Sequence, residues 1–315
     1  PGIRDHHFST DMAALFLNEL GSRKNGVMHR DYPVSEEVFS EVERAYEAAM
    51  KRRGLLDFDD MLIKLLKLLR RDRKLLSLLR SRYHYIMIDE FQDINPTQYE
   101  IIRLLCEPLR NIFIVGDDDQ SIYGFRGSDP GIMLHFPEDF PELDTVTLGI
   151  NYRSESRIVE ASLRLIEHNK SRYRKDLRAC PEKSGRDRGL ISIREAADEK
   201  EEARLVASEI GERLRRGEKA PSIAVLFRVH RAARELSKEL IRQGIRPGYG
   251  RGPELMTFHG AKGLEFDLVY IISANEGITP WKLAKDEAQL EEERRMFYVA
   301  MTRARSELHI FNTKL

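Results

Sequence analysis

Residues 85–93 read Tyr-Ile-Met-Ile-Asp-Glu-Phe-Gln-Asp, a short apolar run that ends in acidic side chains. Residues 112–115, Ile-Phe-Ile-Val, form a second such run, which also leads into acidic residues. Short runs of this composition are typical of strands, and the apolar spacing between residues 97 and 105 predicts a helix. A strand–helix–strand order favours a parallel sheet, so this stretch predicts an α/β fold.

The rest of the chain extends this pattern in both directions. Further strands are predicted at residues 145–148, 190–193, 223–227, 255–258, 268–272 and 308–311. Further helices are predicted at residues 36–53, 58–69, 199–216, 234–243 and 287–305, with the second of them largely buried. We therefore predict two domains, residues 1–143 with two convincing strands and residues 144–315 with a more complete parallel sheet.

Composition limits the class of protein. The 315 residues are 41% hydrophobic, which excludes a disordered chain, and 52 basic side chains balance 52 acidic ones. We find no membrane-spanning run and no secretory signal, so no membrane partner is expected. Two cysteines make neither a disulfide framework nor a metal cluster, and a reducing, cytoplasmic setting is predicted.

Two basic patches stand out against the zero net charge. Residues 51–80 carry ten Lys and Arg against four acids, and residues 170–188 carry eight against three. Such runs are most often solvated faces, and contact with a polyanion is the alternative.

Two strand ends carry candidate catalytic groups, because ligands bind at the carboxyl ends of parallel strands. Asp89 can ligate Mg²⁺, and Glu90 can deprotonate a water molecule. Gln120 can contact a phosphate oxygen. Adjacent acids at a strand end also occur by chance, and an acidic turn is the simpler explanation of residues 117–120.

Aromatic and cationic side chains alternate just beyond Gln120. Tyr123, Phe125 and Arg126 suit stacking on single-stranded bases. Farther along, Arg153 can reach a phosphate across a cleft, and Ser154 is the predicted N-cap of a helix. The charged stretch that begins at residue 292 is, taken alone, more simply explained as a surface helix held by salt bridges.

Five stretches, taken in order, are more specific than any of them alone. They read DEFQD (89–93), GDDDQSIYGFRGS (116–128), NYRS (151–154), TFHGAKGLEF (257–266) and ERRMFYVAMTRA (293–304). In this order they resemble motifs II to VI of the UvrD/Rep-type superfamily 1 DNA helicases. LDFDD at residues 56–60 resembles the segment just upstream of motif II in the same family, and the resemblance extends from about residue 40 to residue 311.

The resemblance implies two RecA-like domains of the P-loop NTPase type, the first incomplete at its N-terminus, which use ATP and Mg²⁺. It implies that Asp89 ligates Mg²⁺, Glu90 activates water and Gln120 senses the γ-phosphate. Arg153 and Arg303 resemble arginine fingers, which stabilise charge on the transferred phosphoryl group.

The remaining motif positions concern nucleotide and DNA. Tyr152 resembles the residue that stacks on adenine, and Gly263 and Glu265 match positions near the ribose and the γ-phosphate. The residues at positions that contact single-stranded DNA are Tyr123, Phe125, Arg126, Thr257 and His259. A lone histidine is more often structural, and only its motif favours DNA contact for His259.

Two features of the family are missing from this sequence. It contains no Gly-Lys pair, and hence no G-x-x-x-x-G-K-[ST] phosphate-binding loop. A ten-residue connector, 245–254, stands where the family has a large accessory insertion. We therefore expect a fragment or a split or degenerate form, whose two-stranded remnant exposes edges and part of a core to a missing N-terminal segment or a partner protein.

Three functional hypotheses follow. The first is an ATP-dependent 3′–5′ helicase or translocase that acts on single-stranded DNA and at single-strand/duplex junctions. The second is a DNA- or protein-binding remnant without ATPase activity. The third is a helicase–nuclease subunit, which would need an additional nuclease domain. The ordered retention of the five predicted catalytic groups favours the first.

Overall fold

The structure, a computed structural model, describes residues 10–26, 34–184, 189–248 and 252–314. The chain divides into two compact units, Pro1–Glu142 and Leu143–Leu315. The end of the second basic patch (185–188) and the centre of the predicted connector (249–251) lie outside the described residues. Within the described ranges, every helix is too short or too polar to cross a membrane.

The first unit is mainly helical and contains two short strands in its described part. Its elements are α1 (Thr10–Lys24), α2 (Glu36–Arg53), α3 (Phe58–Arg71), α4 (Arg73–Arg82), β1 (Ile86–Ile88), α5 (Pro96–Cys106), β2 (Ile112–Ile114) and α6 (Pro130–Asp139). β1 and β2 pair in parallel, from Ile86 opposite Ile112 to Ile88 opposite Ile114. The predicted strand–helix–strand unit is confirmed, whereas α1, α4 and α6 were not predicted.

Apolar side chains of the first unit are widely exposed. Met87 and Phe113 lie opposite each other in the sheet and are 78% and 62% exposed. The prediction that α3 is largely buried is wrong, because Phe58 is 84% exposed and Leu69 is the buried residue of the helix. An apolar composition predicts burial only where another element covers the apolar face. No described element covers the face of α3 that carries Phe58.

The second unit is built around a five-stranded parallel sheet. Its elements are β3 (Ile150–Asn151), α7 (Ser156–Ile166), β4 (Arg178–Ala179), β5 (Leu190–Ala196), α8 (Glu199–Arg215), β6 (Ile223–Phe227), α9 (Arg234–Arg242), β7 (Glu254–Thr257), β8 (Phe266–Ile271), α10 (Glu287–Met301) and β9 (Ala304–Thr313). The strand order is β5-β9-β8-β6-β7, and β3 and β4 form a separate parallel pair. The predicted α/β class with parallel sheets is confirmed.

The core of the second unit forms on both faces of β6, all five of whose residues are buried. Val225 and Phe227 belong to an apolar cluster with α8 and α9. Because successive strand side chains point to opposite faces, Ala224 and Leu226 face the other side of the sheet, where they are also fully buried. Burial on both faces explains why the sequence of β6 is a continuous apolar run.

Two local predictions in the second unit are wrong. Residues 145–148 form no strand, and Val146 and Leu148 are 82% and 80% exposed; the short strand lies at β3 instead. α10 ends at Met301, where the Thr302 hydroxyl bonds back to the Tyr298 carbonyl, so the last predicted helical residues belong to a turn and to β9.

The predicted N-cap of α7 is also wrong. Glu155, not Ser154, occupies that position, and its side chain makes no capping hydrogen bond. The Ser154 hydroxyl donates instead to the carbonyl of Ala304 at 2.6 Å. A long-range partner in β9 has therefore replaced the local one that the sequence suggested.

Glu307 offers a test of the polar interactions in this sheet. Its carboxylate lies 2.5 Å from the Arg213 guanidinium and 3.3 Å from the His309 ring. The His309 hydrogen bond, together with Arg213, lowers the pKa of Glu307 to about 2 despite partial burial. This stabilisation is therefore fully present above the unfolded-state pKa and is lost as pH falls toward 2.

We expect Glu307→Gln to lower the free energy of unfolding by about 1–3 kcal/mol at pH 7, because Arg213 keeps a weaker acceptor. Urea unfolding at pH 7 and near pH 3 measures this, with a smaller difference expected at the lower pH. Glu218→Gln is the matched control, since Glu218 also bonds Arg213 but is more exposed. Equal effects of both substitutions, or no pH dependence, would contradict the prediction.

Candidate functional site

The acid pair lies directly after β1, where the chain makes a strained turn. Glu90 has a φ of 52°, in the left-handed region that a non-glycine residue adopts at a cost of about 1 kcal/mol or more. Phe91 is fully buried and packs edge-on against Phe136, with ring centroids 5.1 Å apart. This anchor fixes the turn, so the carboxylates of Asp89 and Glu90 stay exposed at the end of the strand.

Gln92 joins the acid pair to the loop after β2. Its side-chain amide donates to Glu90 Oε2 at 2.5 Å, and its Oε1 accepts from the Asp117 backbone N–H at 2.9 Å. Asp117 Oδ2 in turn accepts from Gln120 Nε2 at 2.7 Å. The structure thus brings Glu90 and Gln120 together through two further residues. Sequence reasoning missed Gln92, although it lies inside the DEFQD stretch.

The three predicted stacking residues of the first unit lie together. The rings of Tyr123 and Phe125 are 6.1 Å apart, and the Arg126 guanidinium lies 5.6 Å and 5.5 Å from their centroids. Arg126 can stack on aromatic planes while remaining charged for a phosphate. We call residues 123–126 the aromatic turn.

The LDFDD segment anchors the helix that supports the aromatic turn. α1 packs against this turn, and its Lys24 bonds Asp57 at 2.7 Å and Asp60 at 2.9 Å. The next residue, Asn25, donates to Asp59 Oδ1 at 2.7 Å. The three acids at the start of α3 therefore act on the candidate site through α1.

In the second unit, Glu265 lies between two arginines. Arg153 Nε donates to Glu265 Oε2 at 2.7 Å, and Arg305 donates to Glu265 Oε1. Arg305 first, and Arg153 second, lower the pKa of Glu265 to about 2. Two separately predicted residues, Arg153 and Glu265, are thus in contact. Arg305 was not predicted, and only its place directly after the TRA sequence could have suggested it.

Arg303 lies at the same edge but points into the protein. Its side chain is 1% exposed and donates to the carbonyls of Val299 at 2.9 Å and Leu264 at 3.2 Å and to the Thr302 hydroxyl at 3.1 Å. In this arrangement it ties the turn after α10 to the loop that carries Glu265. Its role as an arginine finger stays a prediction.

The residues predicted to bind nucleotide and those predicted to bind DNA lie at opposite edges of the five-stranded sheet in the second unit. Thr257 ends β7 and His259 follows it, so both lie at the carboxyl edge. Glu265 and Arg303 precede β8 and β9, so both lie at the amino edge. Residues 258–265 connect the two edges directly.

Two further predicted site residues are Gly263, which has a left-handed backbone conformation, and Tyr152, which has an exposed ring. Gly263 lies in the connection between the sheet edges with a φ of 82°, a conformation that favours glycine. Tyr152 follows β3 and is 70% exposed, so its ring is open to a planar ligand.

The donor set fits magnesium only together with a nucleotide. No group of three or more His, Cys, Asp or Glu side chains that could hold a metal occurs within the described ranges. Asp89 is exposed, and one of its oxygens accepts from the Glu90 backbone N–H at 2.9 Å. Mg²⁺ commonly uses one or two carboxylates with phosphate oxygens and water, which matches this arrangement.

Comparison with known families agrees with the two-unit architecture. The UvrD/REP helicase N-terminal domain model matches residues 9–141, and the UvrD-like helicase C-terminal domain model matches residues 146–248 and 254–314. The chain therefore belongs to the UvrD/Rep helicase family.

Several curated relatives are similar over most of this chain. YjcD of Bacillus subtilis is 36% identical over 283 residues, 88% of this chain and 36% of that protein. The ATP-dependent DNA helicase PcrA of Staphylococcus epidermidis is 34% identical over 271 residues, 84% of this chain and 37% of PcrA. The chain thus spans about a third of the length of these relatives.

A solved structure, the C-terminal domain of a possible DNA helicase from Lactobacillus plantarum, matches 52% of this chain and 88% of that one. Its sequence identity is 18% and its TM-score 0.37, too low to support an argument.

Loss of the Glu265 charge between Arg153 and Arg305 should raise the affinity of this site for anions. Glu265→Gln removes the negative charge between Arg153 and Arg305. We therefore expect inorganic tripolyphosphate to bind about 5-fold more tightly, because this change in affinity corresponds to the free energy of about one exposed ion pair. Isothermal titration calorimetry measures the change. Glu195→Gln is the control, since it removes a similarly exposed carboxylate paired with Lys314, and equal affinities of the two variants would refute the prediction.

Proposed function

We propose that this chain carries the nucleotide-hydrolysing acids and the DNA-stacking residues of an ATP-driven motor that moves 3′ to 5′ along single-stranded DNA. The main support is the hydrogen-bonded connection from Glu90 through Gln92 and Asp117 to Gln120. This connection joins a carboxylate suited to activating water with the loop that leads into the aromatic turn. The helicase activity named for PcrA agrees with this assignment.

Each proposed catalytic role follows from the family motif and the local chemistry. Mg²⁺, when bound with ATP, neutralises charge on the phosphates. Asp89 would hold it, Glu90 would orient and deprotonate the attacking water, and Gln120 would contact the γ-phosphate. Arg153 and Arg303 would stabilise the charge that develops during phosphoryl transfer, which typically contributes about 10³–10⁵ in rate.

The remaining residues would bind the substrates. Tyr152 would stack on adenine, with Gly263 and Glu265 near the ribose and the γ-phosphate. Single-stranded DNA, including the strand at a single-strand/duplex junction, would contact Tyr123, Phe125, Arg126, Thr257 and His259. Since sequence-independent binding relies on stacking and phosphate contacts, no base preference is proposed.

The second candidate function is DNA or protein binding without hydrolysis. It is favoured by the absence of a Gly-Lys pair from the 315 residues, because the lysine of a phosphate loop reaches the β- and γ-phosphates. We therefore propose that the motor requires a phosphate loop supplied from outside these residues.

Phosphate release from ATP tests this proposal. For the chain alone, with or without single-stranded DNA, we expect release no faster than that of the Glu90→Gln variant. Addition of a segment that bears G-x-x-x-x-G-K-[ST] should restore DNA-stimulated release, which Glu90→Gln should abolish. Release at a helicase-like rate by the chain alone would refute the requirement, and failure of the added segment would support the non-hydrolysing alternative.

DNA binding provides an independent prediction. We expect Phe125→Ala to weaken binding of a labelled oligothymidylate by about 5-fold or more, because stacking contributes about 1–3 kcal/mol per base. Fluorescence anisotropy at fixed salt measures the dissociation constant. Tyr83→Ala is the matched control, since Tyr83 is also exposed and lies 5.7 Å from an arginine, Arg82. Equal losses in both variants would contradict a specific role for the aromatic turn.

A further inference from the structure

A buried glutamine links the acid pair to the aromatic turn. We propose that Gln92 is a positioning residue that couples Glu90 to the DNA-stacking loop, so that a change at the acid pair alters DNA affinity. The inference rests on the proposed function, because it uses Glu90 as a nucleotide residue and the aromatic turn as a DNA contact.

Three hydrogen bonds place Gln92 between the two sites. Its side-chain Nε2 donates to Glu90, while its Oε1 accepts from the Asp117 backbone at 2.9 Å. Its backbone carbonyl accepts from the Ser121 hydroxyl at 3.0 Å. A carboxamide donates on one side and accepts on the other, so neither an apolar side chain nor a carboxylate can reproduce both side-chain bonds.

The bonded loop leads directly into the aromatic turn. Asp117 Oδ1 accepts from the Asp119 backbone N–H at 3.2 Å, which shapes the loop, and Ser121 lies two residues before Tyr123. Burial, followed by the charges of Asp93 and Glu90, raises the pKa of the Tyr123 phenol, so this ring lies within electrostatic range of Glu90.

Gln92 is closely packed. Gln92 is 1% exposed and Ser121 is 3% exposed. A Cβ atom at Gly116 would lie 2.7 Å from Gln92 Oε1 and 3.1 Å from the sulfur of Met133. Gly116 therefore leaves room for the carboxamide that a larger residue would fill, and the proposed coupling is that a displacement of Glu90 moves the loop through this closely packed carboxamide.

A double-mutant cycle tests the coupling. Glu90→Ala is made with Gln92 intact and in the Gln92→Leu background, and anisotropy measures oligothymidylate affinity. We expect Glu90→Ala to weaken binding by about 3-fold or more with Gln92 intact and by less than about 1.5-fold in the Gln92→Leu background. The same factor in both backgrounds, or no effect in either, would overturn the proposal.

Hydrogen exchange at the Asp117 amide provides a second test that does not require DNA binding. Gln92→Leu removes the acceptor of this N–H, so we expect exchange to accelerate about 10-fold, as for the loss of one hydrogen bond. Gln243→Leu is the matched control, since it removes an exposed Gln–Glu bond in the second unit. Unchanged exchange of Asp117 in Gln92→Leu would overturn the proposal.

A double variant that swaps the two side chains, Glu90→Gln with Gln92→Glu, covers the case in which Gln92→Leu does not fold. Gln92→Glu alone places two carboxylates together and should weaken DNA binding. Combined with Glu90→Gln, it restores one donor and one acceptor, so DNA affinity and Asp117 exchange should return to within about 2-fold of the unmodified chain. Failure of this rescue would refute the coupling. Absence of DNA binding by the unmodified chain would refute the proposed function, and the exchange data would still decide the role of Gln92.

Discussion

Parallel pairing is the constraint on which the rest of this structure depends. Parallel strands present all their carboxyl ends at one sheet edge and all their amino ends at the other. In the first unit this rule places the acids after β1 beside the loop after β2, within reach of one glutamine. In the second unit it separates Thr257, at the carboxyl edge, from Glu265, at the amino edge.

Satisfied buried polar groups define the geometry at these edges. Gln92 and Arg303 are each about 1% exposed, and each bonds to segments on two sides. Leaving such a group without partners costs about 1–3 kcal/mol, so alternative loop conformations are disfavoured. By contrast, the exposed pairs around Glu265 contribute at most about 1 kcal/mol each, and their main effect is to orient two guanidinium groups.

The two units differ in how completely they bury apolar surface. In the second unit every residue of β6 is buried, on both faces of the sheet. In the first, Met87, Phe113 and Phe58 remain largely exposed. Exposed apolar groups that lie side by side are typical of surfaces that other protein segments cover. This contrast agrees with a chain that spans about a third of its relatives' length.

The sequence by itself determined most of the element types and the motif order. Period-2 and period-3.6 patterns are local, and so the bounds of α2 and β6 agree with the residues predicted for them. The order of the five motif stretches, from DEFQD to ERRMFYVAMTRA, was likewise sufficient to indicate the family.

Only the tertiary structure decided which side chains meet. The bond of Ser154 to Ala304 spans 150 residues, and the pairing of Arg153 with Glu265 spans 112. The exposure of Phe58 depended on the absence of a covering element among the described residues, which an apolar pattern does not encode. Partners that lie far apart along the chain leave no periodic signal, and so Gln92 and Arg305 emerged only from the folded arrangement.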